Sequence, residues 1–325
     1  MRMEKNNQIL LQFENYLAQL PLPEEPKLLY APIEYSLSEG GKRLRPLLLL
    51  LSCQAFSGGY KQAMDAAAAV EVFHNFTLLH DDIMDHSDLR RGKPSVVARW
   101  GENVAILSGD AMLITAYRLL SNVPHHLLGR IMEIFNDMAV GVCEGQQYDM
   151  DFEERQKVSV VEYMRMIELK TSVLLAGSAM IGALIGGSTE EEASKLYKFA
   201  LELGMAFQLQ DDLLDSYGDE RLGKPIGGDI LEGKKSYLMI TAMSHANDQE
   251  REILRSTHLN NKLTAEEKIA LVKSIYNKLE IPRLVEQQIS LRFDRAQQVL
   301  ESLNLSEERI AGLKEFATSL MGRQK

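Results

Sequence analysis

The sequence predicts an all-α protein, and three observations carry that expectation. Apolar residues recur at three- and four-residue steps through nearly every long segment. Helix-start signatures recur too, with Ser159 and Glu162, and Thr264 and Glu267, spaced as capping boxes. Strand signals are almost absent: no alternating β-branched run and no Asn-Gly hairpin turn stands out. The 325 residues are 45% hydrophobic and 25% charged, the balance of a globular protein. No clear linker divides them, so residues 1–325 read as a single helical domain around one core.

Taken in order, Met1 to Leu20 mixes charges, Asn and Gln with apolar residues and holds no signal-peptide core. Pro21 to Pro32 reads as a loop or helix junction. The basic stretch Gly40-Gly41-Lys42-Arg43-Leu44-Arg45-Pro46 precedes the apolar run Leu47 to Leu51. Apolar helical runs from Val70 to Leu79 and from Phe199 to Leu209 each lead into an acidic cluster. Val158 to Ile185 reads as one helix opened by Ser159. Gly186-Gly187 ends it, and Ser188 or Thr189 starts the next. Thr264, and Ser306 with its acidic first turn, open helices near the C-terminus. No unbroken run of eighteen apolar residues occurs, so no transmembrane segment is expected. Cys53 and Cys143 lie in apolar helical contexts and read as buried thiols, which fits a reducing, cytoplasmic setting. The net charge of −10 argues against a general nucleic-acid binder.

The acidic clusters carry the chemistry. Asp81-Asp82-Ile83-Met84-Asp85 and Asp211-Asp212-Leu213-Leu214-Asp215 have the same form. On a helix, Asp81 and Asp85 stack one turn apart, as do Asp211 and Asp215. Like charges at that spacing repel, so each cluster asks for a counter-charge. Carboxylates offer only hard oxygen ligands, and magnesium shares a few of these with substrate phosphates. One such cluster could be a solvated helix end. Two, each behind an apolar helix, weigh against that. A helical bundle can direct side chains from facing helices into one internal site, and diphosphate is a polyanion that metals would bridge to the carboxylates.

The basic residues suggest a second diphosphate. Lys42, Arg43 and Arg45 crowd a helix start, where acids are the rule. Arg90-Arg91-Gly92-Lys93-Pro94 follows the first acidic cluster closely, and arginine's planar fork suits phosphate. His74, Asp81 and Asp85 fall within about 20° of one helical stripe.

In this order the motifs resemble the trans-isoprenyl diphosphate synthases, the polyprenyl synthetase family that includes farnesyl and geranylgeranyl diphosphate synthases. The matching fragments run from Gly40-Gly41-Lys42-Arg43-Leu44-Arg45-Pro46 through His74, Leu79-His80-Asp81-Asp82, Arg90 to Pro94 and Lys170-Thr171. They continue with Phe207-Gln208-Leu209-Gln210-Asp211-Asp212, Gly223-Lys224-Pro225-Ile226-Gly227-Gly228-Asp229 and Lys234. The resemblance implies the isoprenoid synthase type I fold, a large helical bundle with a central active-site cavity, and a homodimer. It implies that Asp81, Asp85 and Asp211 are the main magnesium ligands, supported by Asp82, Asp212 and Asp215, with about three ions per site. Arg90, Lys170, Thr171 and Lys224 would contact the allylic diphosphate, with Lys234 near it. Lys42, Arg45, His74 and Arg91 would hold isopentenyl diphosphate, with Gln208 close by.

The activity so implied is magnesium-dependent ionisation, condensation and elimination, joining an allylic diphosphate to isopentenyl diphosphate. Product length should follow the depth of an apolar cavity beneath the first acidic cluster. Phe76 followed by the small Thr77, with Phe73 a turn below and a plain five-residue motif, resembles the archaeal-type geranylgeranyl synthases; a farnesyl diphosphate synthase is the alternative. A class I terpene cyclase needs no second diphosphate pocket, and non-catalytic partner subunits usually have damaged acidic motifs, so both fit less well.

Overall fold

The structure is a computed structural model that describes residues 2–218 and 226–322, with side chains from Asn6 onward. Sixteen α-helices and one two-stranded hairpin make up most of the described residues. The protein is all-α, as its periodicity predicts.

The chain forms two compact units. The first comprises the residues up to Asn136 together with Gly177–Tyr197 and Leu303–Phe316. Within it, the helix Met64–Met84 packs against Leu44–Ser57 and Glu102–Leu120. Four consecutive alanines, Ala66 to Ala69, are fully buried there and let neighbouring helices come close. Phe73, Phe135 and Met112 fill the remaining space. Each such side chain contributes roughly 1.5–3 kcal/mol through burial. Asp85 caps this helix rather than extending it, and its N–H still donates to the Asp81 carbonyl at 2.8 Å. The one-turn spacing of the two carboxylates therefore survives the helix end.

The second unit comprises Asp137–Ala176, Lys198–Ser302 and the residues from Ala317. Its core gathers Tyr163, Leu209, Leu213, Leu238, Val272, Tyr276 and Val285. Three capping boxes set its helix starts: Ser159 with Glu162, Asn247 with Glu250, and Thr264 with Glu267. Each cap is worth about 1 kcal/mol.

Four sequence expectations need correction. Pro32 lies inside the helix Lys27–Ser38, so the Pro-rich stretch is a junction only in its first half. Leu89–Arg90 and Lys93–Pro94 pair as an antiparallel hairpin. Its turn residues, Arg91 and Gly92, both have positive φ (54° and 77°), as a two-residue hairpin turn requires. Cys143 is exposed, whereas Cys53 is buried; both are free. Finally, the stretch read as one helix from Val158 to Ile185 starts at Val160 and is interrupted by a π-helical turn at Glu168–Ser172. By length and composition alone it is apolar enough to cross a membrane. Glu168 and Lys170 interrupt its apolar run, which hides it from a search for unbroken runs. Burial of 83% of that window inside the protein accounts for its apolar character.

Candidate active site

The first unit builds a basic pocket. Arg45 Nη1 donates to His74 Nε2 at 2.9 Å. Arginine can only donate, so Nε2 accepts and the imidazole is neutral. Burial, then the nearby Arg45, Arg91, Arg43 and Arg90, hold the His74 pKa well below the ordinary histidine value. Burial likewise lowers Arg45 to about 10, and its Nε is buried without a hydrogen-bond partner among the described residues. Arg91, on the hairpin turn, donates from Nη1 to the Gly40 carbonyl. Its guanidinium covers Gly41, where a Cβ would come within 2.8 Å of it.

Arg43 does something else. It is buried, with its Nε on Glu14 at 2.9 Å, Nη1 on Glu71 at 2.6 Å and Nη2 on the Leu37 carbonyl at 2.6 Å. The middle cation of the Lys42–Arg45 cluster therefore anchors the loop instead of facing the pocket. Neither glutamate was visible from sequence, since both partners come from distant helices.

The hairpin also supplies the first acidic cluster's counter-charge. Arg90 Nε donates to Asp82 Oδ1 at 2.8 Å, and Nη2 reaches the same oxygen and Asp81 Oδ2, the latter at 3.4 Å. Asp82 is buried, and burial raises its pKa despite Arg90.

In the second unit, Lys170 and Thr171 lie in a π-helical turn, Glu168–Ser172, between Val160–Ile167 and Val173–Ile185. Such turns widen the helix and are frequent at functional sites. Gly145 makes room for this one: a Cβ there would lie 2.2 Å from the Lys170 backbone nitrogen. Lys170 Nζ pairs with Asp149 at 2.6 Å, and Thr171 donates to Gln208 Oε1 at 3.0 Å. Gln208 Nε2 in turn donates to Asp212 Oδ1 at 3.1 Å. Asp212 is buried and also accepts from the Tyr163 hydroxyl and, at 3.1 Å, from the Tyr237 backbone N–H. Burial pushes it up to about 6 against these donors. Asp215 accepts from the Asp229 N–H at 3.1 Å. Burial, then Asp215 and Asp212, push Asp229 up to about 7. Dehydration works against the Lys234 ammonium, but the fields of Asp149, Asp229, Glu232 and Asp212 outweigh it and its pKa rises. Asp149, Tyr163 and Asp229 are thus partners that sequence reasoning missed; only Asp229, inside a motif, left a signal. Lys224 lies outside the described residues.

Among the described residues no group of three His, Cys, Asp or Glu is gathered closely enough to enclose a metal ion. That fits magnesium, which usually takes one or two carboxylates and completes its shell with water and substrate phosphates. Asp82 and Asp212 are engaged by Arg90 and by Tyr163, Gln208 and Tyr237. Asp81 with Asp85, and Asp211 with Asp215, stand one helical turn apart and could ligate it alongside Asp82 and Asp212.

The raised carboxyls set a pH dependence. Asp229 binds a proton more tightly folded than unfolded, so its stabilisation is present at low pH and lost as pH rises through about 7. His74, shifted down, acts oppositely, but only below its ordinary value near 6.5. Between pH 6 and 8 the metal-free protein should therefore lose a few degrees of melting temperature, at most about 1.4 kcal/mol per pH unit for one proton. Asp229→Asn should flatten that slope. Thermal melts in EDTA check it, and an unchanged slope in Asp229→Asn contradicts the assignment.

An all-helical chain bearing two carboxylate helices and a separate cation-lined pocket is built to handle diphosphates. The polyprenyl synthetase family matches residues 26–279, and the chain belongs to that family. It is a prenyltransferase with the isoprenoid synthase fold. The chain is 46% identical over 221 residues to the geranylgeranyl diphosphate synthase of Methanosarcina mazei, covering 67% of this chain and 68% of that one. It is 37% identical over 299 residues to the geranylgeranyl diphosphate synthase of Sulfolobus acidocaldarius, covering 90% of each. The crystal structure of a geranylgeranyl pyrophosphate synthase matches with a TM-score of 0.91 at 43% identity, covering 99% of each chain.

Proposed function

We propose that the protein is a short-chain trans-prenyltransferase that condenses an allylic diphosphate with isopentenyl diphosphate, with geranylgeranyl diphosphate as the main product. The observation that carries the two-diphosphate reading is the Arg45–His74 pocket. It holds a buried guanidinium nitrogen without a hydrogen-bond partner among the described residues, and a neutral imidazole near four arginines. A bound anion would satisfy that nitrogen and offset the pocket's positive charge, and a cyclase would have no use for a second such pocket. The family match runs through both compact units, which supports reading the chain as one domain. The same reading makes the enzyme magnesium-dependent, cytoplasmic and homodimeric.

Magnesium held at this site would supply positive charge to the leaving diphosphate. Asp81, Asp85 and Asp211 would hold it, with Asp82, Asp212 and Asp215 in support. Arg90, Lys170, Thr171 and Lys224, with Lys234 nearby, would bind the allylic diphosphate and share the charge that grows as its carbon–oxygen bond breaks. Lys42, Arg45, His74 and Arg91, with Gln208, would fix isopentenyl diphosphate so that its double bond supplies the electrons of the new carbon–carbon bond. The proton then lost passes to the departed diphosphate.

Separate kinetics for the two substrates test this. Arg45→Ala and His74→Ala should raise KM for isopentenyl diphosphate about tenfold or more, the cost of a lost charged hydrogen bond, with a smaller change for the allylic primer. Lys170→Ala should raise the allylic KM and also lower kcat. Equal weakening of both substrates by Arg45→Ala would show that the pockets are not separate.

A further inference from the structure

Beside Phe76 sits a histidine that the reaction above does not use. His80 lies one turn further along the same helix, and its ring centroid is 4.6 Å from that of Phe76. Its Nε2–Cδ2 edge lies over Gly109 on the helix Glu102–Leu120. A Cβ at Gly109 would come within 2.3 Å of Nε2 and 2.5 Å of Cδ2. The imidazole therefore occupies a notch that only glycine leaves open. His80 Nε2 is buried there without a hydrogen-bond partner among the described residues. A buried polar atom without a partner costs stability, so the ring is held in place by its shape rather than by that bond. On its other side Phe76 meets Phe73 at 5.6 Å. Phe73 stacks edge-on against Phe135 at 5.2 Å, and both are fully buried. Close-packed rings of this kind have nowhere to yield, which leaves the His80 side as the packed face toward which the half-buried Phe76 ring can shift.

We infer that His80, seated in the Gly109 notch, is a positioning residue that fixes the Phe76 ring and thereby the length of the prenyl product. The inference rests on the reading of Phe76 as the floor for the growing chain. Removing the imidazole in His80→Ala vacates the notch, and Phe76 can tilt into it, so products longer than twenty carbons should rise severalfold. A methyl at position 109 drives the imidazole toward Phe76 instead, so Gly109→Ala should shift products toward fifteen carbons. In the double variant the methyl refills the space that the imidazole left, and the distribution should return toward the parent's. The two substitutions are in direct contact, so their effects should not add.

The test is product chromatography from dimethylallyl diphosphate, isopentenyl diphosphate and magnesium for the parent, Phe76→Ala, His80→Ala, Gly109→Ala and the double variant. Product ratios are read from whatever turnover remains, because a merely structural defect lowers rate without moving them. If Phe76→Ala lengthens the product while the His80 and Gly109 variants keep the parent distribution, the inference fails and the floor stands. If Phe76→Ala also leaves the distribution unchanged, the floor and the inference fall together. A shift in His80→Ala with none in Phe76→Ala means that His80 acts directly, which also overturns the inference. Should His80→Ala not fold, Gly109→Ala decides, since it keeps the imidazole: an unchanged distribution there is a refutation.

Discussion

Replacing either Asp81 or Asp211 by alanine is expected to lower turnover by roughly three powers of ten, about 4 kcal/mol of transition-state stabilisation. For Asp81→Ala any loss of stability should be small beside the loss of turnover. Asp81 keeps 21% of its side chain exposed and meets Arg90 only at 3.4 Å, while Arg90 retains its closer bonds to Asp82. Removing one of two like charges a turn apart also relieves repulsion on the helix. Melting temperature should therefore stay level or rise slightly as activity falls, the pattern of a group kept for chemistry. Asp82→Ala should behave differently, because Asp82 is buried and removing it leaves Arg90 only its longer contact with Asp81; losing the closer pair costs stability as well as rate. Activity should vanish in EDTA and return with magnesium. Full turnover in excess EDTA, or a large melting shift in Asp81→Ala with activity intact, would end the metal-ligand assignment.

What the sequence made legible was whatever is encoded locally. Ser159 with Glu162 and Thr264 with Glu267 announce helix starts because both partners of each cap lie within four residues. The aspartate clusters are visible for the same reason, since helical spacing alone aligns Asp81 with Asp85. The hairpin was missed because its strands are two residues long and its turn is Arg91-Gly92, too little β pattern to count. The π-turn at Glu168–Ser172 depends on Gly145 of another helix, and the role of Arg43 depends on Glu14 and Glu71. Neither partnership leaves a mark near the residue concerned. Cys143 shows the converse limit: an apolar neighbourhood in sequence does not say which face of the helix a residue occupies.

Product length should change when Phe76 or Thr77 is replaced. Phe76 lies five residues before Asp81 and is only half-buried, stacked between Phe73 and His80. Phe76→Ala removes the ring on which a growing chain would stop, so the main product should lengthen beyond twenty carbons. Thr77 occupies little space and donates to the His74 carbonyl at 2.8 Å, a local bond within its own helix. Thr77→Phe gives up that bond and adds a second aromatic, so products should shorten toward fifteen carbons. Deleting a fully buried phenylalanine costs about 3–5 kcal/mol. Phe73, which is 1% exposed and packed on Phe135, should pay that cost; the half-buried Phe76 should lose less. Chromatography of the products alongside thermal melts therefore separates a moved floor from a damaged core. A folded, active Phe76→Ala enzyme with an unchanged distribution would place the floor elsewhere, at Phe73 or at the buried Met112 of Glu102–Leu120.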